Sequence, residues 1–189
     1  MRMILLIRHG ESEANVKKII SEDYDGYPLT EKGEEQVRFS ASQIKGLKFD
    51  GIISSPVLRT RQTASIIEEY VGSETMVDDR IRESGLGPYN NRFMSDLPRR
   101  PRSDLPIESW DSHIDRFLSL IREKSGDFIL VSHAFPIRAI TAYYLGLNEY
   151  ETSGVEIKNA SMTVIDAENE KVLAIGSIVL SERVKKFFR

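Results

Sequence analysis

The 189-residue sequence contains no cysteine, which excludes disulfide bonds, thiolate metal sites and cysteine nucleophiles. It has no run of the ~20 apolar residues that cross a membrane, and the apolar stretch before Arg8 is too short for a signal peptide. The net charge is −3, without the basic excess typical of nucleic-acid-binding domains. We therefore expect a cytoplasmic protein that binds neither membranes nor nucleic acids.

Two apolar runs of strand length each end in a histidine. Residues 3–7 are followed by Arg8 and His9, and residues 128–132 are followed by His133. Short continuous apolar runs are typical of buried strands in parallel sheets, where ligands bind beyond the carboxyl ends of the strands. If the two strands are neighbours, both imidazoles lie at one edge of the sheet.

Helical patterns alternate with the apolar runs along a chain of single-domain length. Helices are predicted to begin after Thr30, near Val57, at Ile107 and at Pro136, and two late runs over 161–166 and 171–177 predict a hairpin. We expect one α/β domain over residues 1–189, a three-layer α/β/α sandwich with a mostly parallel central sheet and helices on both faces.

The helix near Val57 is predicted to add an arginine to the same edge of the sheet. Arg59 falls in its first turn, directly after a short strand that ends at Ser55-Pro56. A helix N-terminus attracts anions, and an arginine placed there strengthens a phosphate or carboxylate site. Gly10, after His9, is expected to let the backbone turn sharply and approach a ligand closely.

Residues 88–106 form the least regular part of the chain, within a lid or insert predicted over residues 85–112. Prolines there forbid a long helix, and arginines make the segment strongly basic: Pro88, Pro98, Pro101 and Pro106, with Arg92, Arg99, Arg100 and Arg102. This composition suits a lid or insert over an anionic substrate, and a solvated loop without a ligand is the alternative. His113, just beyond, is expected to have a structural or surface role.

These residue types together suit phosphoryl transfer. Arginines bind a phosphoryl group through paired hydrogen bonds, one histidine can attack phosphorus, and the other can donate to the phosphoryl oxygens. A carboxylic acid must then protonate the leaving oxygen. The carboxylates near residue 80, namely Asp78, Asp79 and Glu83, are the candidates.

Several separated motifs resemble the histidine phosphatase superfamily, the phosphoglycerate-mutase-like proteins, over nearly the whole chain. They are Arg8-His9-Gly10-Glu11-Ser12 with Asn15; Leu29-Thr30 with Gly33 and Gln36; Ser54-Ser55-Pro56 with Arg59, Gln62 and Thr63; Arg80-Ile81-Arg82-Glu83; and Val131-Ser132-His133-Ala134. Each motif alone is weak, and their shared order carries the resemblance.

The resemblance implies a role for each matching residue. His9 would be the nucleophile that forms a phosphohistidine, and Glu83 the proton donor that later activates water. Arg8, Arg59 and His133 would hold the phosphoryl group, with help from Asn15. No metal and no other cofactor would be required, and the partner would be a small phosphorylated substrate. A homodimer is left open.

The resemblance covers both phosphatases and cofactor-dependent phosphoglycerate mutases. The mutase motif with Glu-Arg and Tyr-Gly is missing after Glu83, and Ser21-Glu22 stands where mutases tend to have Thr-Gly. A carboxylate at Glu22 would repel an acidic phosphoglycerate if it lined the pocket. We therefore expect hydrolysis of phosphomonoesters, although Arg99, Arg100 and Arg102 could grip a second anion. A non-catalytic phospho-ligand module is a third alternative, and no expected catalytic residue is missing.

Overall fold

The computed structural model describes residues 1–100, 102–152 and 154–188, so Pro101 of the predicted lid lies outside the described residues. The strands are β1 Met3–Arg8, β2 Ile19–Ile20, β3 Gly51–Ser54, β4 Thr75–Val77, β5 Arg92–Phe93, β6 Phe128–Ser132, β7 Met162–Asp166 and β8 Lys171–Ser177. The helices are α1 Glu13–Lys17, α2 Glu31–Ile44, α3 Leu58–Val71, α4 Trp110–Glu123, α5 Ala134–Leu145 and α6 Glu182–Lys185.

A six-stranded sheet in the order β4-β3-β6-β1-β7-β8 forms the middle layer. The neighbours β4, β3, β6 and β1 run parallel, whereas β7 is antiparallel to β1 and β8 to β7. The sheet is therefore mostly parallel, and the predicted C-terminal hairpin is its antiparallel edge. Both observations confirm the predicted α/β fold.

Side chains of β1 alternate between two apolar cores, one on each face of the sheet. Leu5 and Ile7 pack in the core that contains Val37 of α2 and Ile67 of α3. Ile4 and Leu6 belong to the opposite core, with residues of α4 and α5 such as Phe117 and Ile140. Each fully buried Leu or Ile contributes about 1.5–3 kcal/mol. Helices on both faces complete the predicted three-layer sandwich.

The helix boundaries follow the capping residues of the sequence. Thr30 caps α2 by accepting a hydrogen bond from the Gly33 amide at 3.0 Å, as predicted. The helix expected from Ile107 instead begins at Trp110, because Ser109 is its N-cap and accepts from the Ser112 amide at 3.2 Å.

Gly10 is required for helix packing, which corrects the expectation that it lies close to a ligand. A Cβ atom on Gly10 would lie 2.4 Å from the Gly33 carbonyl oxygen, and one on Gly33 would lie 2.0 Å from the Glu11 carbonyl oxygen. The first turns of α2 therefore press directly on the loop after β1. This contact fixes the backbone that carries His9.

Residues 85–112 contain only short regular pieces before α4. Three 3-10 turns lie at Gly87–Tyr89, Met94–Asp96 and Arg102–Asp104. Between the first two turns, β5 pairs antiparallel with β2, so the segment is joined to the region just after α1. No helix of the described residues is long and apolar enough to cross a membrane.

Candidate active site

The register of two parallel strands brings the two histidines together. Arg8 of β1 is paired with Ser132 of β6, and the His9 amide donates to the Ser132 carbonyl at 3.1 Å. His9 and His133 therefore leave the sheet at the same level. Their ring centroids lie 5.3 Å apart, at an interplanar angle of 63°. The predicted meeting of both imidazoles at one sheet edge is confirmed.

The tautomer of His9 follows from its hydrogen bonds. Its Nδ1 lies 2.7 Å from the Gly10 carbonyl oxygen, which can only accept, so Nδ1 carries the proton. The lone pair of Nε2 then accepts from Arg59 Nε at 3.2 Å. Burial, with the charges of Arg59 and Arg8, holds the pKa of His9 well below its usual value. His9 is therefore neutral, and its unprotonated nitrogen, Nε2, faces a guanidinium.

Two arginines beside His9 keep unused hydrogen-bond donors. Arg59 is buried and donates through Nη2 to the Ser21 carbonyl at 2.8 Å, and Arg8 donates through Nη1 to the Ile157 carbonyl at 2.7 Å. Arg59 Nη1 and Arg8 Nε are buried without a hydrogen-bond partner in the structure. Unpaired buried donors are costly, and cationic ones are matched by an anion. This is the strongest structural sign of a phosphate site.

Glu83 is the carboxylate that lies in the cluster. Its Oε2 atom is 3.5 Å from His133 Nδ1 and 3.8 Å from Arg59 Nη2, and its Oε1 accepts from the Ser84 amide at 2.8 Å. Burial raises the pKa of Glu83, although Arg59 and Arg8 oppose this effect. A carboxyl group with a raised pKa suits proton donation.

The two rival carboxylates are occupied elsewhere. Asp78 forms an ion pair with Arg80 at 2.7 Å, and Asp79 contacts Arg82 at 3.0 Å. Neither aspartate lines the cavity beside His9. Of the three predicted candidates, only Glu83 has the position of a proton donor.

His133 and Asn15 complete the set of predicted residues. His133 is fully buried; its Nε2 lies 2.8 Å from Ser55 Oγ and its Nδ1 lies 3.3 Å from Arg59 Nη2. Asn15 lines the cavity, and its Oδ1 accepts from the Ser12 amide at 3.0 Å. Since that oxygen is engaged, the amide nitrogen of Asn15 is the group available to an anion.

Two supporting residues were given no role by the sequence. Ser55 belongs to a quoted motif, but only the structure shows that it contacts His133. Asn159 donates through Nδ2 to the His9 carbonyl at 3.2 Å and to Asn15 Oδ1 at 3.1 Å. Asn159 lies in an irregular segment before β7, where no periodicity or motif marks it.

The cavity beside His9 has a volume of about 70 Å³, which is room for several water-sized groups. Its polar wall consists of Arg8, His9, Asn15, Ser21, Arg59 and Glu83. The remaining wall is apolar and includes Leu86 and Met94 from the 85–112 segment. The 85–112 segment therefore contributes two side chains to the wall of the cavity.

The basic residues of the segment divide into two groups. Arg102 is buried, donates through Nη1 to Ser84 Oγ at 2.9 Å and lies 4.4 Å from the ring centroid of Phe135. It lines neither the His9 cavity nor the neighbouring groove, so the expectation that it grips a second anion is not supported. Arg99 and Arg100 instead line a groove of about 290 Å³ that shares Phe135 with the cavity.

His113 is buried in α4, with Nδ1 2.7 Å from the Ser109 carbonyl oxygen, and it does not line the cavity. Its expected structural role agrees with this position. Within residues 1–100, 102–152 and 154–188, no group of three or more histidine and acidic side chains is arranged to hold a metal ion.

Comparison with known proteins agrees with the fold and identifies the family. The family model of the histidine phosphatase superfamily (branch 1) matches residues 4–176. The chain belongs to this superfamily. It is 39% identical to the 2,3-bisphosphoglycerate-dependent phosphoglycerate mutase of Thermoplasma acidophilum, over 99% of this chain and 98% of that protein.

Solved structures of phosphatases share the fold. Phosphoserine phosphatase from Entamoeba histolytica, in complex with phosphoserine, has a TM-score of 0.80 at 23% identity, covering 94% of this chain and 98% of that one. Alpha-ribazole phosphatase from Shigella flexneri has a TM-score of 0.77 at 20% identity, covering 95% and 98%. The relatives thus include both mutases and phosphatases.

The unpaired arginine donors predict that inorganic phosphate stabilises the protein. Stabilisation should grow with concentration, reaching about 2.7 kcal/mol at a hundred times Kd, because phosphate binds only the folded state. Arg59→Met should abolish most of this gain, measured as the rise in Tm with added phosphate. Arg61→Met is the matched control, since Arg61 lies on the same helix and forms an ion pair with exposed Asp25. An unchanged gain in Arg59→Met would contradict the assignment.

Proposed function

We propose that the protein hydrolyses phosphomonoesters through a phosphohistidine on His9, without a metal ion. The observation that carries this proposal is the neutral His9, whose Nε2 lone pair faces Arg59. The unpaired donors of Arg8 and Arg59 supply the positive charge that phosphoryl transfer needs.

In the first step, His9 Nε2 attacks phosphorus while the bond to the leaving oxygen breaks. Burial raises the pKa of Glu83, and the protonated form of Glu83 gives its proton to that oxygen. Arg8, Arg59 and Asn15 bind the phosphoryl oxygens. His133 Nδ1 lies beside Arg59 and Glu83, and it donates to these oxygens in the tautomer that carries its proton on Nδ1, in which Nε2 accepts from Ser55 Oγ.

In the second step, water attacks the phosphorus atom of the phosphohistidine. Glu83, now a carboxylate, takes a proton from the water, the P–N bond breaks, and inorganic phosphate leaves with His9 restored. The same carboxyl group thus serves as acid and then as base, and no other reactant is consumed.

Phosphoglycerate mutase activity is the second candidate, and the groove beside Phe135 favours it. Arg99, Arg100 and Arg138 line this groove against a single carboxylate, Glu149, and Arg138 Nε is buried without a hydrogen-bond partner. Such a surface suits a second anionic group on the substrate. The Thermoplasma relative, a mutase by name, points the same way.

One sequence argument against the mutase is not supported. Glu22 does not line the cavity, because its Oε1 accepts from the Leu86 amide at 3.1 Å. Hydrolysis remains the leading candidate function because it needs only the residues at the His9 cavity and water. A mutase must also hold a second hydroxyl in line with phosphorus.

The proposal also covers the domain organisation and the cellular location of the protein. We treat residues 1–189 as one domain with residues 85–112 as its lid, and we place the protein in the cytoplasm. Leu86 and Met94 at the cavity wall support the lid. A homodimer stays a hypothesis, and light scattering in solution tests it.

His9→Ala should lower the turnover of 4-nitrophenyl phosphate by at least ~10³-fold, measured in the presence of a metal chelator, because the attacking nitrogen is removed. In the wild type, quenching during turnover should trap a protein-bound phosphoryl group that is stable in alkali and lost in acid. The variant should trap none, while its folding is checked by thermal unfolding. Full activity in His9→Ala would refute the mechanism.

Glu83→Gln should slow the hydrolysis of alkyl phosphates by ~10²–10⁴-fold, because alkoxide leaving groups need the proton that Glu83 donates. The loss on aryl phosphates should be under ~10-fold. Wild-type activity on alkyl phosphates should fall as pH rises through the raised pKa of Glu83, and fall again as pH drops through the lowered pKa of His9. In Glu83→Gln, activity on alkyl phosphates should no longer fall as the pH rises through this range.

The exposed Asp79→Asn is the control, since Asp79 lies outside the cavity and should leave both activities unchanged. Equal losses for both leaving groups in Glu83→Gln would assign Glu83 to binding and leave the proton donor elsewhere.

Hydrolysis and isomerisation are separated by giving the protein 2- or 3-phosphoglycerate and measuring free phosphate against the other isomer. The proposed phosphatase should release phosphate with little isomer formed. Interconversion without phosphate release, stimulated by 2,3-bisphosphoglycerate, would establish the mutase instead. Binding of phosphate without reaction on any phosphorylated metabolite would leave only the non-catalytic module.

A further inference from the structure

Glu83 lies in a segment with no regular structure of its own. Residues 82–86 belong to no helix or strand, between the 3-10 turns Asp79–Ile81 and Gly87–Tyr89. No backbone hydrogen-bond ladder therefore fixes the Glu83 carboxyl relative to His9. Its position depends on contacts from other parts of the chain.

Glu108, at the far end of the 85–112 segment, supplies two of these contacts. Its Oε2 accepts from the Gly85 amide at 2.8 Å, and its own amide donates to the Gly85 carbonyl at 2.7 Å. Its carbonyl oxygen accepts from Arg102 Nη1 at 2.8 Å, and the same nitrogen donates to Ser84 Oγ at 2.9 Å. Residues 84 and 85 are thus held through both side-chain and main-chain groups.

Arg116 of α4 connects Glu108 to Glu83 itself. Its Nε donates to Glu108 Oε1 at 2.8 Å, and its Nη2 donates to Glu108 Oε2 at 3.3 Å and to the Glu83 carbonyl at 3.4 Å. Its Nη1 donates to the Arg80 carbonyl at 2.7 Å. Both side chains of this pair are less than a tenth exposed, at 9% and 8%.

The pair also has an electrostatic effect on Glu83. Burial opposes ionisation of Glu108, but the hydrogen bonds from Arg116 lower its pKa to about 2, so Glu108 stays ionised. The positive charge of Arg116 favours ionised Glu83, and the adjacent carboxylate offsets that charge. The charged and titratable groups near Glu83 are Arg8, Arg59, Arg102, Arg116 and His133.

We propose that Glu108 is a positioning residue for Glu83. With Arg116, it fixes the main chain of residues 83–85 and neutralises the guanidinium closest to the Glu83 backbone. Glu108 lines no part of the His9 cavity and touches no reacting atom. The inference rests on the proposed role of Glu83 as proton donor, and it adds a residue that no sequence motif marks.

The proposal predicts a selective loss in Glu108→Gln, which keeps the length of the side chain but removes its charge. Its kcat/KM should fall about 10–100-fold on an alkyl phosphate and less than ~3-fold on 4-nitrophenyl phosphate, because only the poor leaving group needs the proton. The rise in Tm with inorganic phosphate should be unchanged, since the arginines of the cavity are intact. Asp115→Asn, an exposed carboxylate beside Arg116 on α4, is the matched control.

A double variant shows whether Glu108 acts through Glu83. In the Glu83→Gln background, Glu108→Gln should cause no further loss of kcat/KM on the alkyl phosphate, because the effects of residues that act as a unit are not additive. Equal losses on both substrates, or full additivity in the double variant, would overturn the positioning role and leave Glu108 as a structural residue.

Amide hydrogen exchange gives a readout that does not depend on activity. Glu108→Ala should speed exchange at the Gly85 amide by about tenfold or more, because that amide loses its acceptor, while amides of α3 stay protected. Unchanged exchange at Gly85 would overturn the proposal. If wild-type protein shows no His9-dependent turnover, the proposed function fails, and exchange alone decides whether Glu108 fixes this segment.

Discussion

The site depends on the parallel pairing of β1 with β6, in which Arg8 stands opposite Ser132. A shift by one residue would turn one of the two histidines to the other face of the sheet. The pairing is held by residues buried on both faces, so the register is fixed by the core and not by the site. Burial at this edge in turn lowers the pKa of His9 and raises the pKa of Glu83, which favours the neutral form of each side chain.

The sequence predicts this part of the molecule well because local patterns determine it. Apolar runs define the strands, and Thr30 caps its helix. His9 and His133 come directly after the ends of two strands, and Arg59 lies at the start of a helix. The resemblance then selected Glu83 from three nearby carboxylates, and the geometry agrees.

Other parts could not be read from the sequence because they depend on contacts between distant segments. Gly10 looked suited to a close ligand, yet its missing Cβ makes room for the first turns of α2. Arg102 looked like a substrate-binding residue of the lid, yet it is buried against Ser84 and Phe135. Asn159 and Glu108 lie in irregular segments, where neither periodicity nor motif distinguishes a functional side chain from a solvated one.

The burial of Arg102 divides the 85–112 segment into a buried part and an exposed part. The Arg102 side chain fixes its part of the segment to Ser84 and to the Glu108 carbonyl, whereas residues 92–94 and 99–100 are exposed. Changes in the exposed part therefore leave the contacts of Arg102 with Ser84 and Glu108 intact. A fold built in this way can acquire a new substrate by changing a few surface positions while its reaction stays the same, which suits a superfamily whose relatives include both mutases and phosphatases.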